Sequence, residues 1–284
     1  MKRTIKLVAG IALMASTIAG CTKILDQEPL TDLTEKNALG SAANAEASLS
    51  SAYSALLPGL YYGEVMNTIT ELPGDNTMTA NGARTMWDDF TWNPTTDFVQ
   101  NYSQIYNAIA KANLIITLVP DVNMDETRRK QIIGEGHFLR ALHYFNLVRL
   151  YGGVSLYTEP ILSGDAATIN EKGLRPRASV EEVYDLIIDD LSKAEEMVGG
   201  SQPNAAQNRN RAVKATVYAL QAKVFLTKRD YASAKAACQK VFDNGALYSM
   251  VTDFNALWPV RIKRSLFLKY ITIRPHWVVA SCPI

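Results

Sequence analysis

One segment near the middle of the chain restricts the possible folds more than any other. Residues 138–151 read FLRALHYFNLVRLY and are apolar on almost every side of a helix. A helix of this kind has to be enclosed by other elements, because a surface helix carries only one apolar stripe. Gly152-Gly153 marks its end. The sequence therefore predicts a central helix over residues 125–151, with Asn123 and Glu126 as its capping pair.

Three further segments have the spacing of amphipathic helices. Apolar residues recur three or four positions apart over residues 41–57, 98–116 and 179–198. Ser179 and Glu182 form a capping box at the start of the third segment. Strand-like segments are scarce before residue 265. The pattern predicts an all-α domain with few strands over residues 41–259.

A final helical pair is predicted over residues 211–228 and 231–244. Its packing residues fall where tetratricopeptide repeats place small or aromatic side chains, which let two helices approach closely. A generic helical hairpin would have a similar pattern and is the alternative. We expect a tetratricopeptide-like scaffold of helical pairs. The residues at these positions are Ala222, Phe225, Ala234, Cys238 and Val241.

The first 20 residues are similar to a bacterial lipoprotein signal peptide. A basic start precedes an apolar stretch, residues 7–15, that is too short to span a bilayer. Ile18-Ala19-Gly20-Cys21 resembles a lipobox, in which the peptidase cleaves before the cysteine. We expect acylation of Cys21, attachment to a membrane through the acyl chains and a tether over residues 21–40. A plain secretory signal with a cysteine there by chance is the alternative.

Charge is distributed unevenly along the chain. Residues 21–259 carry all 28 acidic residues and a net charge of −7, because three of the 29 basic residues precede them and five follow. Binding to nucleic acid normally needs a basic face or stripe. An acidic body therefore argues against a nucleic-acid partner.

Residues 134–156, GEGHFLRALHYFNLVRLYGGVSL, resemble the signature of the SusD/RagB family of outer-membrane nutrient-binding lipoproteins. Leu25-Asp26-x-x-Pro29 after the lipobox and Asp230-Tyr231 in the last helical pair are similar to the same family. The resemblance covers about residues 21–260. It implies a helical scaffold of tetratricopeptide-like units, anchored by lipid to the cell outer membrane on the extracellular side.

The resemblance implies binding without catalysis and without a cofactor. It implies capture of an oligosaccharide or another nutrient and delivery to a TonB-dependent, SusC-like outer-membrane transporter. Two alternatives remain: a tetratricopeptide-like lipoprotein scaffold that binds a protein partner, and a cell-surface glycoside hydrolase.

The candidate ligand-binding residues lie within residues 71–101, a segment with many turn signals. Tryptophan can cover the apolar face of a sugar ring, while carboxylate, amide and guanidinium groups pair with its hydroxyls. The resemblance implies that this region contributes to the glycan platform. Packing of both tryptophans against the helices is the alternative. The candidates are Asp75, Asn76, Arg84, Trp87, Asp88, Trp92, Asn93 and Asn101.

No metal site is predicted. His137 and His143 lie about 240° apart around one helix, so they cannot share an ion. The acidic pairs at residues 181–182, 189–190 and 195–196 predict solvated helix surface and not a glycosidase pair.

Charged residues on the apolar central helix predict internal pairing. Glu135, Arg140 and Arg149 occur there, and a buried charge without a partner is costly. We therefore expect them to bind one another, other side chains or backbone carbonyl groups.

The last 25 residues differ from the body. Residues 260–284 contain five basic residues and no acidic residue. The resemblance implies a longer chain, so we interpret this tail as a remnant of the family's C-terminal region or an out-of-frame replacement for it. Sequencing the gene across codons 255–284 tests this hypothesis.

Overall fold

A computed structural model of the chain describes residues 39–74, 89–91, 93, 97–162, 166–202 and 210–243. All of them belong to the compact unit that begins at Leu39. A π-helical turn (Gly59–Gly63) and a 3-10 turn (Val119–Asp121) accompany the α-helices, and no strand occurs within these ranges. The helices are α1 (Ala42–Ser54), α2 (Val65–Glu71), α3 (Asp97–Leu118), α4 (Glu126–Tyr151), α5 (Ala166–Gly173), α6 (Val180–Met197), α7 (Lys214–Thr227) and α8 (Tyr231–Asp243).

Helix α4 is the centre of the fold. Residues 134–148 are all buried, and the helix contacts α1, α3 and α6. The predicted central helix is therefore confirmed, since every side of this stretch meets a neighbouring element. Its predicted cap is wrong by two residues. Asp125, and not Asn123, accepts a 2.8 Å hydrogen bond from the backbone N–H of Arg128.

Two glycines allow neighbouring helices to approach α4 closely. A Cβ atom on Gly134 would lie 2.8 Å from the Cβ of Met197 at the end of α6. A Cβ atom on Gly136 would lie 3.0 Å from a methyl group of Ile115 on α3. Contacts this short exclude a larger side chain, so the Gly-x-Gly spacing serves helix packing on both sides of α4.

The helices around α4 follow the predicted apolar stripes. Ile105, Ile109 and Ala112 of α3 are buried, and so are Val183, Ile187, Leu191 and Ala194 of α6. The capping box at the start of α6 is confirmed, because Ser179 and Glu182 bond to each other's backbone N–H groups. Apolar periodicity is a direct signal for these helices, since one face of each lies against the core.

The last helical pair is also confirmed. Helices α7 and α8 pack against each other, with Ala222, Ala234 and Val241 buried. Arg229 adopts a positive φ of 62° in the connecting turn. Small side chains at this contact give the pair the close approach that is typical of tetratricopeptide-like units.

Four elements have no counterpart in the sequence prediction. They are the π-helical turn, the 3-10 turn, α2 and α5, which span 5, 3, 7 and 8 residues. Elements this short carry too few apolar positions to establish a helical period. Among the described helices, none combines the length and the apolar character needed to cross a bilayer.

Candidate functional site

The structure describes two of the predicted ligand-binding residues. Asn93 is exposed, and Asn101 lies on α3 and is fully buried. The predicted lipidation site Cys21 lies outside the described residues. So do the other six ligand-binding candidates, which are Asp75, Asn76, Arg84, Trp87, Asp88 and Trp92.

Asn101 has an unused hydrogen-bond acceptor. Its Nδ2 group donates to the Sδ atom of Met66 on α2 at 3.5 Å. Its Oδ1 atom is buried and has no hydrogen-bond partner in the described part of the chain. Leaving a buried acceptor unpaired costs about 1–3 kcal/mol. Asn101 therefore keeps one buried acceptor without a partner in the described part of the chain.

A cluster of tyrosines lies beside Asn101. The ring of Tyr102 lies 4.7 Å from that of Tyr106 on the same helix and 5.1 Å from that of Tyr151. Tyr106 lies 5.5 Å from Tyr157 in an edge-to-face arrangement and donates a 2.7 Å hydrogen bond to the carbonyl of Ser155. These four rings are half-buried, so part of each faces outward. We call Tyr102, Tyr106, Tyr151 and Tyr157 the tyrosine cluster.

Two members of the tyrosine cluster, Tyr106 and Tyr151, are electrically neutral at ordinary pH. Burial, together with the nearby Tyr102, raises the pKa of Tyr151 to about 12. Burial also raises the pKa of Tyr106 well above its usual range. Neutral aromatic surface is suited to contact with the apolar face of a sugar ring. This cluster was not predicted from the sequence, although the i, i+4 spacing of Tyr102 and Tyr106 indicates that the two rings share one helix face.

A polar network joins the π-helical turn to α4. Asn146 donates from Nδ2 to the hydroxyls of Tyr61 and Tyr62 at 2.7 and 2.9 Å. The hydroxyl of Tyr61 lies 2.8 Å from Nδ1 of His143. Burial lowers the pKa of His143 to about 3. The imidazole is therefore neutral, and His143 acts as a packed helix residue bound through one ring nitrogen.

A second network corrects the prediction for Asp190. This residue was expected on solvated helix surface, but its side chain is completely buried. Arg140 binds both of its carboxylate oxygens, at 2.7 and 2.8 Å, and Nδ1 of His137 lies 2.6 Å from Oδ1. Asp189 does lie on the surface, where it pairs with Lys193 at 2.6 Å. The prediction failed because two consecutive residues of one helix face different directions.

A third network surrounds Glu135. Tyr53 donates to Oε2 at 2.6 Å, while the Nε2 groups of Gln131 and Gln202 each donate to Oε1 at 3.0 Å. Burial raises the pKa of Glu135, and these hydrogen bonds offset only part of that effect. The carboxyl group is enclosed by side chains that hold α1, α4 and the segment before α7 together.

The internal pairing of charged residues on α4 is confirmed by these contacts. Glu135 and Arg140 bind the partners described above, and Arg149 donates to the Phe145 carbonyl at 3.3 Å. Within the ranges that the structure describes, no three histidine, cysteine or acidic residues lie close enough to hold a metal ion. The charged groups of α4 therefore serve the fold.

Comparison with known proteins assigns the chain to a family of similar architecture. A family model for SusD-like proteins, described as "Starch-binding associating with outer membrane", matches residues 23–226. SusD-like protein P2 of Formosa agariphila is 28% identical over 262 residues, covering 88% of this chain and 50% of the relative. SusD-like protein P38 of the same organism is 25% identical over 253 residues, covering 86% and 46%. The chain thus spans about half the length of the curated relatives that it matches.

Solved structures agree with this assignment. A laminarin binding SusD-like protein is 28% identical, with a TM-score of 0.64 over 78% of this chain and 49% of the other. A SusD homolog from Bacteroides thetaiotaomicron shares the fold, with 21% identity and a TM-score of 0.67 over 80% of this chain and 45% of the other. The family model covers most of the chain, including the buried central helix, and the chain therefore belongs to the SusD-like family.

Proposed function

We propose that this protein is a surface-exposed outer-membrane lipoprotein that binds a glycan or another nutrient and delivers it to a TonB-dependent, SusC-like transporter. The family match over residues 23–226 carries the proposal, because the family description names both starch binding and association with the outer membrane. The 28% identical laminarin binding SusD-like protein supports a polysaccharide fragment as the ligand. On this proposal the protein binds its ligand without chemical conversion.

On this proposal the ligand binds along residues 75–101, which directly precede Tyr102 of the tyrosine cluster in the sequence. Trp87 and Trp92 cover the apolar faces of sugar rings, and the polar candidates pair with the hydroxyl rim. The polar candidates in this arrangement are Asp75, Asn76, Arg84, Asp88, Asn93 and Asn101.

Calorimetry of the purified full chain against a panel of glycans tests the ligand site. We expect saturable binding, with Trp87→Ala and Trp92→Ala each weakening it about tenfold, because buried aromatic anchors commonly contribute more than 1 kcal/mol. Tyr231→Ala is the matched control, since this tyrosine is 65% exposed on α8, distant in sequence from the candidate segment. Unchanged affinity in both tryptophan variants would contradict the site.

The same panel separates the two alternative functions. Release of shortened sugars would favour a glycoside hydrolase over a binding protein. Absence of glycan binding, with one protein co-purifying in stoichiometric amount, would favour a scaffold. Co-purification of a TonB-dependent transporter with the tagged chain from outer membranes is the result expected for the delivery step.

The lipid anchor has a separate test. Cys21→Ser is expected to move the protein from the membrane fraction to the soluble fraction and to abolish labelling by radioactive palmitate. Cys282→Ser is the matched control and should leave both properties unchanged. Continued membrane association of the Cys21→Ser variant would refute the lipobox assignment.

A further inference from the structure

The tyrosine cluster forms a continuous row of rings. Tyr102 and Tyr106 belong to α3, Tyr151 ends α4, and Tyr157 lies in the segment that follows α4. In the order Tyr151, Tyr102, Tyr106, Tyr157, the centres of neighbouring rings lie 5.1, 4.7 and 5.5 Å apart. Tilted and edge-to-face contacts at these distances are favourable, so the rings hold one another in place. Each side chain is half-buried, and the row therefore contributes to the surface of the described unit.

The hydroxyl groups of the row are largely occupied by protein acceptors. Tyr106 donates to the carbonyl of Ser155 at 2.7 Å, and Tyr157 donates to the carbonyl of Gly173. Tyr102 donates to the hydroxyl of Tyr106 at 3.3 Å. Three of the four hydroxyl protons are therefore in use, and a ligand on the row would mainly contact the apolar surface of the rings.

Arg175 lies at one end of the row. Its guanidinium carbon is 5.7 Å from the centre of the Tyr157 ring. Ser155 provides a second connection, because its hydroxyl donates to the carbonyl of Arg175 at 2.8 Å while its own carbonyl accepts from Tyr106. Two independent contacts therefore place this arginine beside the tyrosine cluster.

The guanidinium of Arg175 keeps donors for a ligand. Its Nε donates to the carbonyl of Lys172 and its Nη1 to the carbonyl of Leu156, each at 3.3 Å. A guanidinium carries five N–H groups, so about three of them remain. Among the described residues, no carboxylate forms an ion pair with Arg175, and its side chain is exposed. These donors are available to a ligand that lies on the adjoining rings.

An apolar row with a polar donor at its end matches the chemistry of a sugar. A pyranose ring presents C–H groups on its faces and hydroxyl groups around its rim. Aromatic side chains with a few well-placed polar groups are the usual lining of sites for such molecules. An acyclic polyol has the hydroxyl groups but no fixed apolar face. Because a row of four rings is longer than one sugar ring, it suits an oligosaccharide better than a monosaccharide.

We propose that the tyrosine cluster and Arg175 form a saccharide-binding subsite that contacts the apolar faces of pyranose rings. This inference rests on the proposed function and adds a contact surface separate from Trp87 and Trp92. Tyr102 and Tyr106, at the centre of the row, pack against the sugar rings, and Arg175 donates to hydroxyl groups at one end. The ligand of the subsite is an oligosaccharide of pyranose units.

Nuclear magnetic resonance of the purified full chain, with isotope-labelled tyrosine, tests the subsite. The probes are laminaritetraose and maltotetraose, with glucose as a monosaccharide and sorbitol as an acyclic polyol. Tyr102→Phe and Tyr106→Phe each remove one tyrosine signal and so assign the two ring resonances. We expect saturable shifts of both rings with at least one tetrasaccharide, weaker binding of glucose and no shift with sorbitol.

Substitutions at Tyr102 separate contact with the ring from contact with the hydroxyl. Tyr102→Ala should weaken tetrasaccharide binding about tenfold in calorimetry, because it removes an aromatic anchor. Tyr102→Phe should leave the affinity unchanged, because the hydroxyl donates to Tyr106 and not to the ligand. Arg175→Gln should weaken binding about fivefold, the effect of about one hydrogen bond. Tyr231→Ala on α8 is the matched control and should bind like the unmodified chain.

Three results would overturn the subsite. They are tetrasaccharide binding that leaves the Tyr102 and Tyr106 resonances unchanged, equal shifts with sorbitol and with a tetrasaccharide, and no saturable binding of either tetrasaccharide. Thermal unfolding shows whether Tyr102→Ala remains folded, and if it does not, the ring shifts of the unmodified chain decide the question. Binding that is weakened by Trp87→Ala or Trp92→Ala but not by folded Tyr102→Ala would overturn the subsite while supporting the proposed function.

Discussion

Asp190 and His143 are single residues whose environments depend on other helices. Asp190 is fully buried, and burial acts to raise its pKa. The hydrogen bonds from Arg140 and His137 outweigh that effect, so the pKa of Asp190 lies below its usual range. A lowered pKa means that the carboxylate is charged in the folded protein. Removal of this charge should therefore leave Arg140 buried without its anion.

Substitution of Asp190 is expected to be strongly destabilising. Asp190→Asn should lower the free energy of unfolding by about 3–5 kcal/mol, because breaking a buried ion pair leaves the other charge uncompensated. Asp189→Asn is the matched control. Its side chain is 53% exposed, and surface pairs contribute at most about 1 kcal/mol. Urea denaturation measures both, and equal effects of the two substitutions would contradict the buried network.

The pKa of His143 predicts how the stability of the fold changes with pH. Its pKa is about 3 when folded, because burial disfavours the charged form, whereas an unfolded histidine titrates near 6.5. The unfolded chain therefore binds a proton at this site first as the pH falls. The neutral His143 ring makes its full contribution to the free energy of unfolding above pH 6.5. This contribution declines as the pH falls toward 3, by at most about 1.4 kcal/mol per pH unit.

Resonances of the His143 ring report this behaviour directly. We expect no titration of the ring between pH 5 and pH 8 in the folded protein. A midpoint between pH 6 and pH 7 would mean that the ring is solvated and would contradict the packed arrangement with Tyr61.

At the scale of elements, helix α4 determines how its neighbours pack. Its burial follows from an apolar surface on all sides, and Gly134 and Gly136 lie where α6 and α3 come closest. The sequence predicted α4 because its apolar stretch is long. It did not predict α2 and α5, since each spans fewer than nine residues and carries too few apolar positions to establish a helical period.

Substitution of Gly134 by alanine tests this packing most directly. In Gly134→Ala, the added methyl group would lie 2.8 Å from both the Met197 Cβ and a Val198 methyl group. We expect a loss of about 1–3 kcal/mol, because overpacking outweighs the gain in helix propensity of about 1 kcal/mol. Gly200→Ala is the matched control, with no atom within 4 Å of the added group. Thermal unfolding that is identical in the two variants would show that α6 can move away freely.

At the scale of the described unit, stability should be graded between the centre and the last helical pair. Residues 134–148 of α4 are all buried, whereas α8 buries only Ala234, Ala237 and Val241. The ion pairs from this helical pair to α6 run through Lys228 and Lys240, and such surface pairs stabilise little. A hydrogen bond from Gln221 of α7 to Glu195 of α6, at 2.8 Å, adds a polar link for α7 but not for α8. Opening of α8 is therefore expected to cost less free energy than opening of α4.

Hydrogen exchange followed by mass spectrometry measures this gradient. We expect the slowest exchange in the second half of α4 and faster exchange in α8, with α6 between them. Uniform protection across these three helices would indicate a single cooperative unit and would contradict the gradient. The full chain should be used, so that all of its segments are present.

The sequence by itself determined the all-α class, the long helices and the family resemblance. Apolar periodicity, capping residues and the fully apolar segment of α4 are local patterns, and each acts within one helix. The ligand-site residues at 75–101 and the anchor at Cys21 stay predictions.

Only the tertiary structure decided which polar residues meet. Asp190 and Arg140 are 50 positions apart, and Tyr53 and Glu135 are 82 apart. Sequence patterns show which side chains lie on each face of one helix. The ion pairs, the burial and the pKa values of those side chains depend on which residues of a second helix pack against them. That arrangement is set by the packing of whole elements.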